Sequence, residues 1–300
     1  MEFTQRVFLI LLSAFLTYGL SLQMMNGGGD SVSFERINEI QKWTGKHIYL
    51  NSYETTIISD LLLPHEIKTS LNTIYGLKKE KETIVRALFG VKNKIFKNTS
   101  NARGILLHGQ PGTGKTMIAQ GIAKSAGLPL ICFNISNIES KLLGESNKLI
   151  SALFSVANKM SPCVIFIDEI DCVCSSRNSF DQSHVNSMKS VMLTHMDGMS
   201  TNNTDTIFIG ATNRLDVIDT AFRRRIPVVV EIPMPSIHDI HRLISSMIHA
   251  DSELIHEISW LCVGMSCSDI KQLVQIVSTS YGSSDDLKQC FVNQMHYIDV

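Results

Sequence analysis

Between Gly104 and Thr116 a short apolar run, Ile105-Leu106-Leu107-His108, leads directly into Gly109-Gln110-Pro111-Gly112-Thr113-Gly114-Lys115-Thr116. No other stretch of the chain restricts the fold as strongly. The string matches the pattern GxxxxGK[ST], in which glycines let successive backbone N–H groups turn inward around an anion. The apolar run suits a buried parallel strand, and a helix starting near Lys115 aims its positive end at the same anion. In that arrangement Lys115 reaches the β- and γ-phosphates of a nucleotide, and the Thr116 hydroxyl ligates Mg²⁺. A chance glycine turn between a strand and a helix is the competing explanation.

A second apolar run, Cys163-Val164-Ile165-Phe166-Ile167, ends in Asp168-Glu169. Alone this could be a strand with a solvated end. Downstream of a phosphate loop the two acids have distinct tasks, Asp168 holding Mg²⁺ through its water shell and Glu169 polarising the attacking water. The carboxyl end of a strand is where α/β sheets place such groups. A third run, Thr206-Ile207-Phe208-Ile209-Gly210, leads to Ala211-Thr212-Asn213. Asn213 at a strand tip can sense the γ-phosphate and orient water, or be an ordinary cap. Then comes Arg223-Arg224-Arg225. Such a run is a solvated face, or it supplies an arginine across a subunit boundary to a transferring phosphoryl group.

The N-terminal end carries Val7 to Met25, 19 residues without a charge. A helix of that length rises ~28 Å, close to the ~30 Å hydrocarbon core of a bilayer. A single-pass anchor is the favoured reading, with a cleaved signal or a buried core helix as alternatives. Glu2 and the scarcity of Arg argue against a matrix presequence. Asn26-Gly27-Gly28-Gly29-Asp30 reads as a flexible break.

A hydrophobic content of 44% in 300 residues allows one large domain plus a smaller one, and a net charge of −1 gives no basic field for nucleic acid. The 7 cysteines form no CxxC pair and read as free thiols. His238 and His241 lie three apart but lack a third ligand. Helical spacing groups Leu77, Ile84, Leu88 and Val91, then Ile240, Leu243, Ile244 and Met247, then Ile270, Leu273, Val274 and Val277, as core stripes.

Phosphate loop, acidic strand, Asn-tipped strand and arginine run, in this order over residues 70 to 300, resemble the AAA family of ATPases. Gly144-Glu145-Ser146-Asn147-Lys148, Phe154-Ser155-Val156-Ala157-Asn158-Lys159, Pro162 through Asp171 and Ile209 through Arg214 are similar to its membrane-remodelling and severing clade, above all to the outer-mitochondrial-membrane extractase family (mitochondrial sorting protein, thorase). The resemblance implies an ATP hydrolase that works as a protein translocase. It implies an α/β fold with a parallel sheet flanked by helices, a small C-terminal helical lid and a preceding transmembrane helix. The expected division is anchor and break 1–28, linker 29–70, large ATPase subdomain 71–235 and lid 236–300. ATP would be bound by residues 109–117, including Met117, with Tyr75 and Gly76 closing the adenine side and Ser268 in a lid motif. Thr116 and Asp168 would hold Mg²⁺, with Glu169, Asn213, Arg224 and Arg225 catalytic.

The family's substrate-gripping pore loop carries aromatics before Gly-Glu-Ser, whereas Leu142 and Leu143 stand here; Gln110 and Cys267 also depart from the usual residues. The implied partners are membrane-protein clients, mislocalised tail-anchored proteins among them, and further copies of the chain in a hexameric ring. The implied location is the outer mitochondrial membrane with the ATPase in the cytosol, or else the ER or peroxisomal membrane. The rival function is a membrane-tethered assembly switch that threads little polypeptide.

Overall fold

The computed structural model describes residues 34–89, 104–135, 145–174, 182–201, 205–280 and 287–294. Six strands form one sheet in the order β1-β3-β4-β5-β2-β6: β1 (Leu61–Leu62), β2 (Gly104–His108), β3 (Leu130–Asn134), β4 (Val164–Asp168), β5 (Ile207–Thr212) and β6 (Val228–Glu231). All pairings are parallel except β1 on β3. Parallel strands need crossovers, so the central strands are covered on both faces and read as unbroken apolar runs.

Helices α1 (Phe34–Thr44), α2 (Ser52–Ser59), α3 (Lys78–Phe89), α4 (Lys115–Ala126), α5 (Glu145–Met160), α6 (Asp171–Cys174), α7 (Gln182–Thr201) and α8 (Thr220–Arg225) supply the layers. One core gathers Ile40, Ile58, Leu61, Leu153, Phe154 and Phe222, and the other gathers Leu71, Ile84, Ile118, Ile122 and Val230. Ile84 and Leu88 are buried as the spacing predicts; Leu77 precedes the helix with φ 55°, and Val91 lies outside the described residues.

The stretch expected to be a linker from 29 to 70 is core-building over its described part. Asn51 and Glu54 close a capping box at the start of α2, each bonding the other's backbone N–H (2.9 and 2.8 Å). Glu54, 2% exposed, also accepts Ser155 Oγ at 2.6 Å and Lys159 Nζ at 2.7 and 2.8 Å, which fastens α2 to α5. Burial works to raise the Glu54 carboxyl, but the bonds from Lys159, Ser155 and Asn51 together hold it below its ordinary value.

After β6 the chain forms α9 (Ile237–Ser245), α10 (Ser252–Leu261), α11 (Cys267–Ser280) and α12 (Leu287–Gln294), with a core of their own. Ile240, Leu243, Ile244, Ile270, Leu273, Val274 and Val277 are in it. Met247 is not: α9 ends at Ser245, so the helical spacing runs past the helix and leaves Met247 40% exposed. None of the seven cysteines is in a disulfide, and burial pushes the Cys163 thiol up to about 12. Among the described residues no helix is long and apolar enough to cross a membrane; Val7 to Met25 lies outside them.

Candidate active site

Three neighbouring strands bring the predicted residues to one edge of the sheet. Strand β5 lies between β2 and β4, with His108 opposite Thr212 and Ile167 opposite Gly210. The carboxyl ends of β2, β5 and β4 therefore open side by side, carrying the 109–116 loop, Asn213 and Asp168-Glu169. This is the edge where parallel sheets bind ligands.

The loop is held open by its own contacts. Thr113 Oγ1 donates to Gln110 O at 2.9 Å, and Gly114, at φ 100°, stands as N-cap of α4. Lys115 is 8% exposed and donates from Nζ to Gly109 O and Gln110 O, both at 2.9 Å. Burial lowers its pKa, with Asp168 and Asp171 acting against that shift. An incoming phosphate oxygen meets a cation already aimed at the loop's mouth. Thr116 Oγ1 donates to Asp168 Oδ2 at 3.1 Å, and Asp168 Oδ1 accepts Glu169 N at 3.0 Å. A hydroxyl and a carboxylate at that separation, one per neighbouring element, fit a hard cation such as Mg²⁺ that keeps most of its waters. Glu169 is solvent-facing at φ 49°, an uncommon backbone state for this residue type and one often found where a side chain must be aimed.

The acidic and amide tips are tied together by residues that the sequence reading left without a role. Thr212 Oγ1 donates to Asp171 at 2.7 Å and accepts Arg214 N at 2.9 Å, while Ile170 N donates to Ala211 O at 2.9 Å. These bonds fix Asn213 relative to Glu169. Asn213, Gly109, Gln110 and Arg223 line a cavity of about 590 Å³ beside the loop.

The lid closes over the far side. Gly112 has φ 72°, and a Cβ there would sit 2.3 Å from Ser266 Oγ; Ser268 N donates to Gly112 O at 3.2 Å. Gly76, at φ 64°, is pressed against Asp239, whose Oδ1 would be 2.5 Å from an added Cβ. The Arg242 guanidinium lies 5.1 Å over the Tyr75 ring. Met117 and Ser268 thus stand at the same end of α4 as the loop, with Lys271 Nζ reaching Met117 Sδ at 3.9 Å, while Tyr75 and Gly76 pack on α9 through Arg242 and Asp239.

The arginine run occupies α8, capped by Asp219, which accepts Ala221 N at 2.8 Å. Arg223 donates to Leu215 O. Arg225 forms a fork with Asp197 of α7, Nε to Oδ1 and Nη2 to Oδ2, both 2.6 Å. Arg224 is exposed and makes no hydrogen bond or ion pair with any described residue. The sequence offered no signal for Asp197, which is 28 positions away from its partner. Leu142 and Leu143 lie outside the described residues. Neither His238 nor His241 belongs to a metal-sized group among the described residues; Glu39, His65 and Glu66 do, but the Arg36 guanidinium already bridges both glutamates.

Residues 105–234 match the family described as "ATPase family associated with various cellular activities (AAA)". An outer mitochondrial transmembrane helix translocase from Xenopus tropicalis is 36% identical over 240 residues, 76% of this chain and 66% of that protein. A mitochondrial sorting homolog from Caenorhabditis elegans is 31% identical over 258 residues, 83% of this chain and 75% of that protein. Among solved structures, the FIGL-1 AAA domain in complex with ADP superposes with a TM-score of 0.70 at 26% identity, covering 84% of this chain and 93% of that one. A katanin structure described under self-assembly superposes at 0.68 with 24% identity, over 84% and 92%.

Proposed function

For a chain that belongs to the AAA ATPases, in the family of the outer mitochondrial transmembrane helix translocase and the mitochondrial sorting homolog, we propose that ATP hydrolysis drives the extraction of membrane-inserted proteins, mislocalised tail-anchored ones among them. The observation that supports the hydrolysis most directly is the alignment of loop, Asn213 and Asp168-Glu169 at the ends of adjacent strands, beneath a lid contact at Gly112, and the extraction draws its support from the relatives named as helix translocases.

The residues divide the chemistry as follows. Backbone N–H groups of 109–116 and the N-terminus of α4 take the phosphates, and Lys115 turns from its loop carbonyls to the β- and γ-phosphate oxygens. Thr116 and Asp168 would hold Mg²⁺, which when bound would offset the charge building on the phosphates. Glu169 accepts the proton of the attacking water, and Asn213 orients that water against the γ-phosphate. Tyr75, Gly76 and Ser268 enclose the base. An arginine of the 223–225 run completes the neighbouring subunit's site in a hexameric ring. Residues 7–25 anchor the chain to the outer mitochondrial membrane with the ATPase in the cytosol.

A second reading, the tethered assembly switch, draws support from Leu142-Leu143 standing where relatives carry flat rings. Reconstituting the full chain in liposomes with a labelled tail-anchored client separates the two. ATP-dependent release of the client is expected. Brisk hydrolysis with no release of any client, loosely folded ones included, would sink the extraction reading and leave the switch.

A further inference from the structure

The turn that joins α1 to α2 is held still while its large side chains face solvent. Ile40 and Ile48 are buried in the core on either side of it. Gly45, at φ 66°, follows the last residue of α1 and donates its N–H to Gln41 O at 2.8 Å. Thr44 Oγ1 donates to Ile40 O at 2.9 Å, and Gln41 Nε2 to Ile48 O at 3.4 Å. Lys159 Nζ donates to Tyr49 O at 2.7 Å, which ties the backbone beyond the turn to α5. Yet Trp43 is 38% exposed and Tyr49 82% exposed. One exposed ring is ordinary. Two on a single pinned turn are kept out of the core by the backbone that carries them.

The charges around those rings share one sign. Lys42, Lys46 and His47 are exposed, and no Asp or Glu occurs from Gln41 to Leu50. The flanking carboxylates are already engaged, Glu39 by Arg36 at 2.7 Å and Glu54 by Lys159 at 2.7 and 2.8 Å. Neither Lys42 nor Lys46 has an ion pair among the described residues. Indole and phenol rings, each with an apolar body and a polar tip, settle at a lipid–water boundary, and adjacent lysines favour an anionic one.

The turn is also within reach of a bilayer. Eight residues separate Met25, the end of the expected anchor, from Phe34 at the start of α1. Fully extended they span no more than about 32 Å. Helix α1, 11 residues long, rises only ~16 Å. The helix is shorter than its tether, so its far end can turn back onto the membrane surface.

We propose that the 42–49 turn docks on the anionic headgroups of the bilayer that holds the chain, with Trp43 and Tyr49 entering the headgroup layer and Lys42 and Lys46 pairing with lipid anions. This goes beyond the anchor reading given above and rests on it. Each lysine contributes about fivefold to the ratio of docked to free turns. Contacts of that size suffice because a tether replaces a bimolecular encounter by a local one.

The test places the full chain in liposomes of phosphatidylcholine, with or without phosphatidylserine, that carry a quencher near the headgroups. Trp260→Phe leaves Trp43 as the sole tryptophan, and Trp43→Phe leaves Trp260 of the lid as the control. Trp43 emission should be quenched and blue-shifted, more strongly with phosphatidylserine, while Trp260 is quenched far less. Lys42→Gln with Lys46→Gln should lower the docked-to-free ratio about 25-fold on the anionic liposomes, with melting temperature and basal ATP turnover unchanged. Quenching of Trp43 no greater than that of Trp260 would overturn the docking. Quenching that ignores both phosphatidylserine and the lysines would overturn the anionic partner. A Trp43 blue shift that needs ATP-driven assembly or an added client, without lipid quenching, would assign the turn to the ring or the client and overturn the proposal too. Alkaline extraction of the same liposomes scores residues 7–25 separately. An extracted chain defeats the anchor reading and the tethered docking with it, whereas a retained chain with unquenched Trp43 defeats the docking alone.

Discussion

Thr116 and Asp168 stand 52 residues apart in the chain and 3.1 Å apart in space, hydroxyl to carboxylate. One begins a helix and the other ends a strand, so the two oxygens meet only when α4 and β4 are packed as they are, and the proposed cation site depends on that packing. Thr116→Val keeps the shape and removes the ligand oxygen. It should raise the Mg²⁺ concentration needed for half-maximal turnover about tenfold or more, while metal-free nucleotide binding changes little. Turnover titrated against Mg²⁺ at fixed ATP reads this directly; an unchanged midpoint would remove Thr116 from the metal.

Glu169→Gln should bind Mg·ATP normally and turn over 10²- to 10⁴-fold more slowly, roughly the contribution of a positioned general base. The amide cannot take the water's proton, while Asp168 and Thr116 are untouched. ATP-bound assemblies should therefore accumulate, visible as a concentration-dependent rise in sedimentation. Parent-like single-turnover rates would exclude Glu169 as the base.

Leu142→Asp with Leu143→Asp should abolish client release from liposomes and leave basal hydrolysis within about twofold. A loop that holds an arbitrary extended chain needs contact area that ignores sequence, and burying one leucine contributes about 1.5–3 kcal/mol, with no ring to stack. Release by the parent chain should consequently fail first on tightly folded clients. Undiminished release by the double variant would mean that these leucines do not grip.

Glu54 sets an acid limit on stability. Its folded pKa lies below the unfolded value of about 4.3, so its contribution is complete above that pH and is lost as pH falls through the folded value. Glu54→Gln should cost about 1.5–3 kcal/mol at neutral pH, because the charge-assisted bonds from Lys159 weaken. The difference between variant and parent should shrink below pH 4. Denaturant midpoints at pH 7 and pH 3.5 provide the comparison, and a pH-independent difference would count against the carboxylate.

What the sequence made legible were features encoded over a few neighbouring residues. The phosphate loop and the paired acids are local strings whose chemistry dictates their surroundings, and the comparisons place the chain in the family that those strings resemble. The apolar stripes of α9 and α11 follow from period alone, and the one misplaced member, Met247, failed because period says nothing of where a helix stops. Residues 34–63 were hidden for another reason. Strand β1 is only two residues long, and its partners Leu130 and Ile131 come about seventy positions later, so no local pattern announces the pairing. The Asn51–Glu54 capping box was readable, but the reach of Glu54 to Lys159, 105 positions on, was not. The same distance problem concealed the grip of Lys189 and Asp197 on the arginine helix.

The two outer strands of the sheet have a consequence for crowding. One edge is the two-residue β1, followed at once by Leu63-Pro64, and the other is β6, bracketed by Pro227 and Pro233. Proline offers no N–H to a passing backbone, and a two-residue strand is too short to template another. Wherever copies of the chain meet at high local concentration, open strand edges would favour backbone pairing between them. With both rims of this sheet blunted, contact between neighbours through side-chain surfaces, which come apart again, is favoured over backbone zippers, which do not.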